Sequence, residues 1–451
     1  MPLLLNSFPE SLVGEDKAIK TFSHLTWSTT ITLIVVWFIG GVVYNLFFHP
    51  LRNFPGPLMH RALVIPFSVY WVSGKSIYNT QKLHEKYGPV VRLTPGHFSF
   101  CDSRAFKDMY GYLPTTNKGG SSPAPEMDKT RPFNRMFDAL PLQILNACLD
   151  EHRAVRRALS HGFTETSLRQ QEIYIIKIIN HFYNYVGFDL TDDLSFETSL
   201  RTLDGSPYRS WVHDIMKTIK SGTYMQVLSY VGLHWLVQVF FWFFGHKNLG
   251  KMNRLLVLAG NAFILVLGGS ETTATVLSGV TYLLTTHPEI LAKLNDEVRS
   301  AVASPDDIAM ATVGKLPYLH AVLNEALRMF PPVPTGLARE VPVGGGQIAG
   351  HSVPEGTIVE VQQWSINHSS AYWKDPWTFN PDRFLAASAE DALEAGNVWE
   401  SLQPFSFGPK ELDSLARAVM RLILTRIVYD FDLRLAGDSE GWMGRQKVHI
   451  L

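Results

Sequence analysis

Between Lys20 and Arg52 the chain carries no formally charged residue, and inside that gap stands ITLIVVWFIGGVVYNLFF, Ile31 to Phe48. Together with Leu25 to Thr30 this run is long enough to cross a hydrocarbon core of ~30 Å as one helix. It has no polar face, and the alternative to a span is a buried core helix. Trp27 and Tyr44 stand where aromatic rings anchor at membrane–water interfaces. No small-residue cleavage site of a signal peptide accompanies it. HPLRNFPGP, His49 to Pro57, then ends any helix with its prolines and glycine and forms a stiff hinge. The expected layout is a tail at 1–24, a transmembrane anchor at 25–48, a hinge at 49–57 and a globular body at 58–451. Mixed flanking charges (Glu15, Asp16, Lys17 and Lys20 before, Arg52 after) do not orient the span by themselves.

The formal net charge of -1 excludes a nucleic-acid partner as an expectation. Cys101 and Cys148 are the only two cysteines, with neither a CxxC nor a zinc spacing, and both read as ordinary buried thiols. In the body, residues 76–88 have helical spacing that ends at Gly88. Pro89 to Asp102 alternates like two short strands around a Pro95-Gly96 turn. From about Glu151 the pattern is mostly helical. Val341 to Val361 turns strand-like again, punctuated by Gly344-Gly345-Gly346 and Pro354-Glu355-Gly356. The expected fold class is therefore mainly α with small β-sheets. LHWLVQVFFWFF, Leu233 to Phe244, is apolar but too short to be a second span.

Three stretches carry chemistry. NAFILVLGGSETTATVLSGVTYLL, Asn261 to Leu284, is an apolar helix with Gly268-Gly269-Ser270-Glu271-Thr272-Thr273 at its middle. Glycines loosen the helical ladder, and threonine can bond a preceding carbonyl. A carboxylate in such a run is expensive to bury without a task. The pattern suits a kink that delivers protons; it equally suits one helix ending at Gly269 and a second capped by Ser270 or Thr272. LPYLHAVLNEALRMFPPVP, Leu316 to Pro334, places Glu325 and Arg328 on one helix face, and FNPDRF adds Arg383. Two arginines around one carboxylate make a bidentate network that can be buried. FSFGPK, Phe405 to Lys410, is an aromatic-glycine loop running into an amphipathic helix, a place to hold an anion.

The order anchor, proline hinge, GGSETT, ExxR with PPVP, PDRF and FSFGPK resembles a microsomal cytochrome P-450. FHPLRNFPGP, HEKYGPVVRLTPGHFSF, EHRAVRRALSHGF and LARAVMRLIL are similar to fungal secondary-metabolism members such as the isotrichodermin hydroxylase group. The resemblance runs from about His49 onward. It implies a cytochrome P-450 fold and haem b, with NADPH acting only through a partner NADPH-cytochrome reductase. It implies an apolar small-molecule substrate and a single-pass anchor in the endoplasmic reticulum membrane, with the catalytic domain in the cytosol. By motif, His152, Arg156, Arg339 and Lys410 match partners of the haem propionates. Glu271 and Thr272 match the acid–alcohol pair that relays protons. Glu325, Arg328 and Arg383 match the structural triad that braces the proximal side.

The chain departs from the family where the iron is held. The family loop reads Phe-x-x-Gly-x-Arg-x-Cys-x-Gly; counted from Phe405, Leu412 stands at the cysteine and Ser414 at the last glycine. Glu411 to Ser414 are fewer residues than the family places before LA, so the loop is shortened and no residue is assigned as metal ligand. Compression around Asn180 to Asp189 and before the GGSETT helix, and the stop at QKVHIL, imply that parts of the fold and its C-terminal end are deleted. Two functions follow as expectations: a haem-dependent monooxygenase, or a catalytically dead membrane-anchored relative that binds a ligand or partner.

Overall fold

The structure is a computed structural model and describes residues 10–111, 127–130, 147, 149–159, 224, 226–233, 235, 253–407, 411–435 and 439–448. Helix α1, Glu10–Val43, carries the apolar run and passes into a π-helical turn, Tyr44–Phe48. From Trp27 to Phe48 it is long and apolar enough to cross a membrane, and its large side chains are bare, with Trp37 80% and Leu33 69% exposed. The chain leaves the helical conformation at His49, ahead of Pro50. Two short helices, α2 (Leu58–Ala62) and α3 (Ile65–Val72), follow the hinge. Helix α4, Ser76–Tyr87, ends at Gly88, whose φ of 98° lies in the left-handed region that glycine favours.

The alternating stretch forms strands β1 (Val90–Thr94) and β2 (His97–Phe100), followed by helix α5 (Arg104–Tyr110). Strand β3 (Asp128–Lys129) and helix α6 (Leu149–Leu159) come next. Four helices then build the main core: α7 (Asn253–Thr286), α8 (Pro288–Ala301), α9 (Pro317–Met329) and α10 (Glu411–Asp430). Helices α8 and α9 begin on a proline, whose missing N–H would be unpaired there anyway. Val280, Leu294, Leu319, Leu327, Leu422 and Ile423 interlock among them with no exposed surface. Gly279 lets the end of α9 approach α7: a Cβ there would stand 2.5 Å from the Phe330 ring.

The late strands are β4 (Arg339–Glu340), β5 (Gly346–Ile348), β6 (His351–Val353) and β7 (Ile358–Val361). β5 and β6 form a separate hairpin. The others join the early strands in one five-stranded sheet of order β1-β2-β7-β4-β3, in which β2 runs parallel to β7. The first strand-like region and the last strand of the second therefore share one sheet. Phe98, Phe100, Met109, Ile348, Val359 and Val361 form its own core against α5.

The sheet interior holds a polar pair. His97 Nε2 lies 3.7 Å from Glu360 Oε2, and His97 Nδ1 lies 3.0 Å from the Tyr230 hydroxyl, which also meets Thr94 Oγ1 at 2.9 Å. Desolvation pushes Glu360 up to about 8 and His97 down to about 3, so both are neutral at pH 7.

Glu325 ties the end of α9 to the following loops. Its Oε1 accepts from Arg328 Nη2 at 2.8 Å, Arg383 Nε at 3.1 Å and the Asn380 backbone N–H at 2.9 Å; its Oε2 accepts from Arg328 Nε at 2.8 Å. The guanidiniums donate their remaining hydrogens to the carbonyls of Asn367, Pro376 and Lys374 and to Asn397 Oδ1. Glu325 and Arg328 are fully buried.

Three outcomes follow. Glu325→Ala strands two buried guanidiniums and lowers the unfolding free energy by ~3–5 kcal/mol in a urea titration. Gly279→Ala overpacks the α7–α9 contact and costs ~1–3 kcal/mol by the same measurement. Between about pH 7.5 and 8 an ordinary histidine is largely uncharged whether folded or unfolded, while Glu360 keeps its proton only when folded. Stability therefore falls across that window by at most ~1.4 kcal/mol per pH unit, and Glu360→Gln removes this component of the slope.

Candidate functional site

Helix α6 presents His152 and Arg156 one turn apart, which places them on a common face. Strand β3 supplies Lys129, directly opposite Arg339 of β4 in an antiparallel ladder. Like charges at opposed positions destabilise a strand pair unless something negative is shared between them. His152 senses all of these cations: burial first, then Lys129, Arg156 and Arg339, push it down to about 4. The Arg339 guanidinium lies over the Tyr110 ring at 5.2 Å. The arrangement is a basic cradle suited to a carboxylate. Sequence reasoning assigned His152, Arg156 and Arg339 to one purpose, and the structure brings their charges together. It missed Lys129, which has no motif; its only signal was a strand pairing that brings distant residues together. Lys410 lies outside the described residues.

The GGSETT stretch lies inside one unbroken helix. α7 runs from Asn253 to Thr286 without interruption, so the alternative of a helix ending at Gly269 with a new cap is overturned. The ladder survives because Thr272 Oγ1 donates to the Gly268 carbonyl at 2.5 Å, supplementing the ladder at its weakest step. Gly268, Gly269 and Glu271 are exposed, while Ser270, Thr273 and Ala274 are buried. The Glu271 carboxyl keeps some surface, yet surrounding protein desolvates it enough to raise its pKa.

The third piece is the loop before α10. Ser406 takes a left-handed φ of 61°, and the Phe405 ring meets the Arg417 guanidinium at 5.3 Å. Arg417 Nη1 also donates to Asn324 Oδ1 at 2.7 Å, joining α10 to α9. Gly408 to Lys410 lie outside the described residues. Helix α10 begins at Glu411, so position 412 falls in its first turn rather than in a loop. Acidic Glu411 and Asp413 favour that early start, since carboxylates stabilise a helix N-terminus.

The family's haem can be tested against these residues. The cradle of Lys129, His152, Arg156 and Arg339 fits its two carboxylates. The iron side does not fit: position 412 is a helical leucine, and no cluster of metal-ligating side chains occurs among the described residues. The Cys101 thiol sits at the end of β2, and burial pushes it up to about 12, so it is no thiolate donor. Cys148, the compressed stretch 180–189 and most of Leu233 to Phe244 lie outside the described residues.

Comparison with known proteins shows the family. The family model "Cytochrome P450" matches residues 247–448. The cytochrome P450 monooxygenase tpeC of Talaromyces stipitatus is 37% identical, over 96% of this chain and 94% of its own length. The trichothecene C-15 hydroxylase of Fusarium sporotrichioides is 34% identical over 91% and 92%, and the cytochrome P450 monooxygenase prhB of Penicillium brasilianum 33% over 92% and 94%. The alignment with tpeC spans 486 positions, more than the 451 residues of this chain, so it opens gaps in this chain. With identities above 30% along nearly its whole length, this chain belongs to the cytochrome P450 family.

Proposed function

We propose that the chain descends from, and keeps the architecture of, a membrane-anchored haem monooxygenase of fungal secondary metabolism that oxidises an apolar small molecule. The carrying observation is the convergence of Lys129, His152, Arg156 and Arg339 on one cationic place. Haem in this family supplies activation of O2 and insertion of one oxygen atom into substrate, with NADPH electrons arriving through a partner reductase. The relatives' printed names, monooxygenase and trichothecene C-15 hydroxylase, support that class.

The chain's own residues would divide the work as follows. His152, Arg156 and Arg339 bind the carboxylate edge of the cofactor, with Lys410 as a further donor. Glu271, its pKa raised by burial, retains its proton closer to neutrality than an ordinary carboxyl and hands it on with the Thr272 hydroxyl. Glu325, Arg328 and Arg383 hold the loops around the iron side. The exposed span Trp27–Phe48 anchors the body on the endoplasmic reticulum membrane, facing the cytosol.

One observation favours the second reading, a catalytically dead relative. With α10 starting at Glu411, the printed sequence offers no thiolate at the position that donates electron density to iron. No oxidation step is therefore derived for this chain.

Titration of the purified full chain with haem separates the readings. The cradle predicts binding that weakens about tenfold or more in Arg156→Ala and Arg339→Ala, each removing one charge-assisted contact. A thiolate-type carbon monoxide spectrum is expected to be absent; its presence would overturn the dead-relative reading. No haem uptake at all would overturn the cradle. In the membrane, removal of residues 1–48 is expected to abolish carbonate-resistant association of the expressed protein.

A further inference from the structure

Tyr110 closes α5 and reaches across to the strand that carries Arg339. Its hydroxyl donates to the Leu337 carbonyl at 2.8 Å and accepts from the Val361 backbone N–H at 3.4 Å. These two backbone groups flank Arg339: Leu337 lies two residues before it, and Val361 belongs to β7, which pairs with β4 through Arg339 and Val359. The segment approaching Arg339 is pressed on β7 so closely that a Cβ at Gly336 would meet the Val361 carbonyl at 2.4 Å. The Tyr110 ring is thus fixed at both edges, by the hydroxyl bonds at one and by Phe106 beside it at 6.2 Å. The guanidinium carbon of Arg339 stands over that ring at 5.2 Å. An aromatic face attracts a cation and carries no charge that would compete for a carboxylate.

We infer that Tyr110 is a positioning residue for the carboxylate cradle: its ring holds the Arg339 guanidinium beside His152, and its hydroxyl holds the ring. The inference deepens the proposed function, since it rests on Arg339 as a carboxylate partner, but its first test needs no cofactor. Arginine is a flexible side chain with substantial rotamer entropy, and the cations Lys129, Arg156 and Arg339 repel one another. The ring removes that freedom before any anion arrives, which is preorganisation in the ordinary sense. The groups facing His152 are Lys129 of β3, Arg156 of its own helix and Arg339 of β4; those facing Tyr110 are Arg339 and Glu360.

The reporter is His152 in the full chain without haem, its imidazole resonance assigned through His152→Gln. In the parent its midpoint lies at about 4. Tyr110→Leu is expected to release Arg339 and move the midpoint upward by roughly one unit, toward an unperturbed histidine. Tyr110→Phe keeps the ring, loses both backbone anchors and moves it less, in the same direction. Met109→Leu, a core change on the same helix, controls for loosened packing and should leave the midpoint in place. An unchanged or lowered midpoint in Tyr110→Leu, or an equal rise in Met109→Leu, overturns the inference. If the leucine variant does not fold, the phenylalanine variant decides by the same criterion. A second readout compares haem with its dimethyl ester, whose carboxylates are blocked. Tyr110→Leu should weaken haem about tenfold and the ester hardly at all, as expected for one lost cation–π contact. Equal weakening of both overturns the positioning role; failure of the parent to bind haem overturns the proposed function and leaves the histidine titration to judge Tyr110.

Discussion

A single carboxylate, Glu325, ties the end of α9 to the loops that follow it. It is fully buried and accepts from two guanidiniums and a backbone N–H, so its cost of leaving water is met by charge-assisted bonds at both oxygens. The guanidiniums in turn consume carbonyls that no strand or helix would satisfy. The energetic meaning is asymmetric. A well-packed apolar replacement of the whole network need cost little, but loss of one member leaves buried charge unpaired. The network fixes where the chain runs from Asn367 to Asn397, ahead of the loop that leads into α10.

Two other polar groups in this fold answer burial differently. His97 and Glu360 sit inside the sheet and become neutral, because desolvation penalises their charged forms. In the basic cluster, burial and the cations around it push His152 toward its neutral form. A neutral pair inside the sheet stabilises one arrangement of strands and of the Tyr230 segment against them. The polar pair and the basic cluster meet at the β4–β7 ladder, where Arg339 pairs with Val359 and Glu360 follows it.

Phe405, Arg417 and Asn324 connect the loop before α10, α10 itself and α9. The helical core of α7 to α10 is apolar. Helix α10 begins at Glu411, so position 412 lies within its first turn.

Much of the fold was legible in the residues. The charge-free run, the hinge prolines, the hairpin at Pro95-Gly96 and the stop at Gly88 are local signals, because periodicity and backbone restriction act over a few neighbours. The order of motifs was enough to indicate the family. Glu325 and Arg328 were readable as a pair at helical spacing, and Arg383 only through resemblance. The continuity of α7 was not readable: glycine propensity argued for a break, and helix packing together with the Thr272 bond to Gly268 outweighed it. Nor could the sequence place Lys129 opposite Arg339, Tyr110 beneath it, or His97 beside Glu360. Those meetings join residues far apart in the chain, and a strand register and a sheet order had to exist before they could occur. The sequence by itself determined the elements, the apolar span and the leucine at position 412, since each is a property of consecutive residues. Tertiary structure decided which charges share a place, because that depends on which strands pair and in what register.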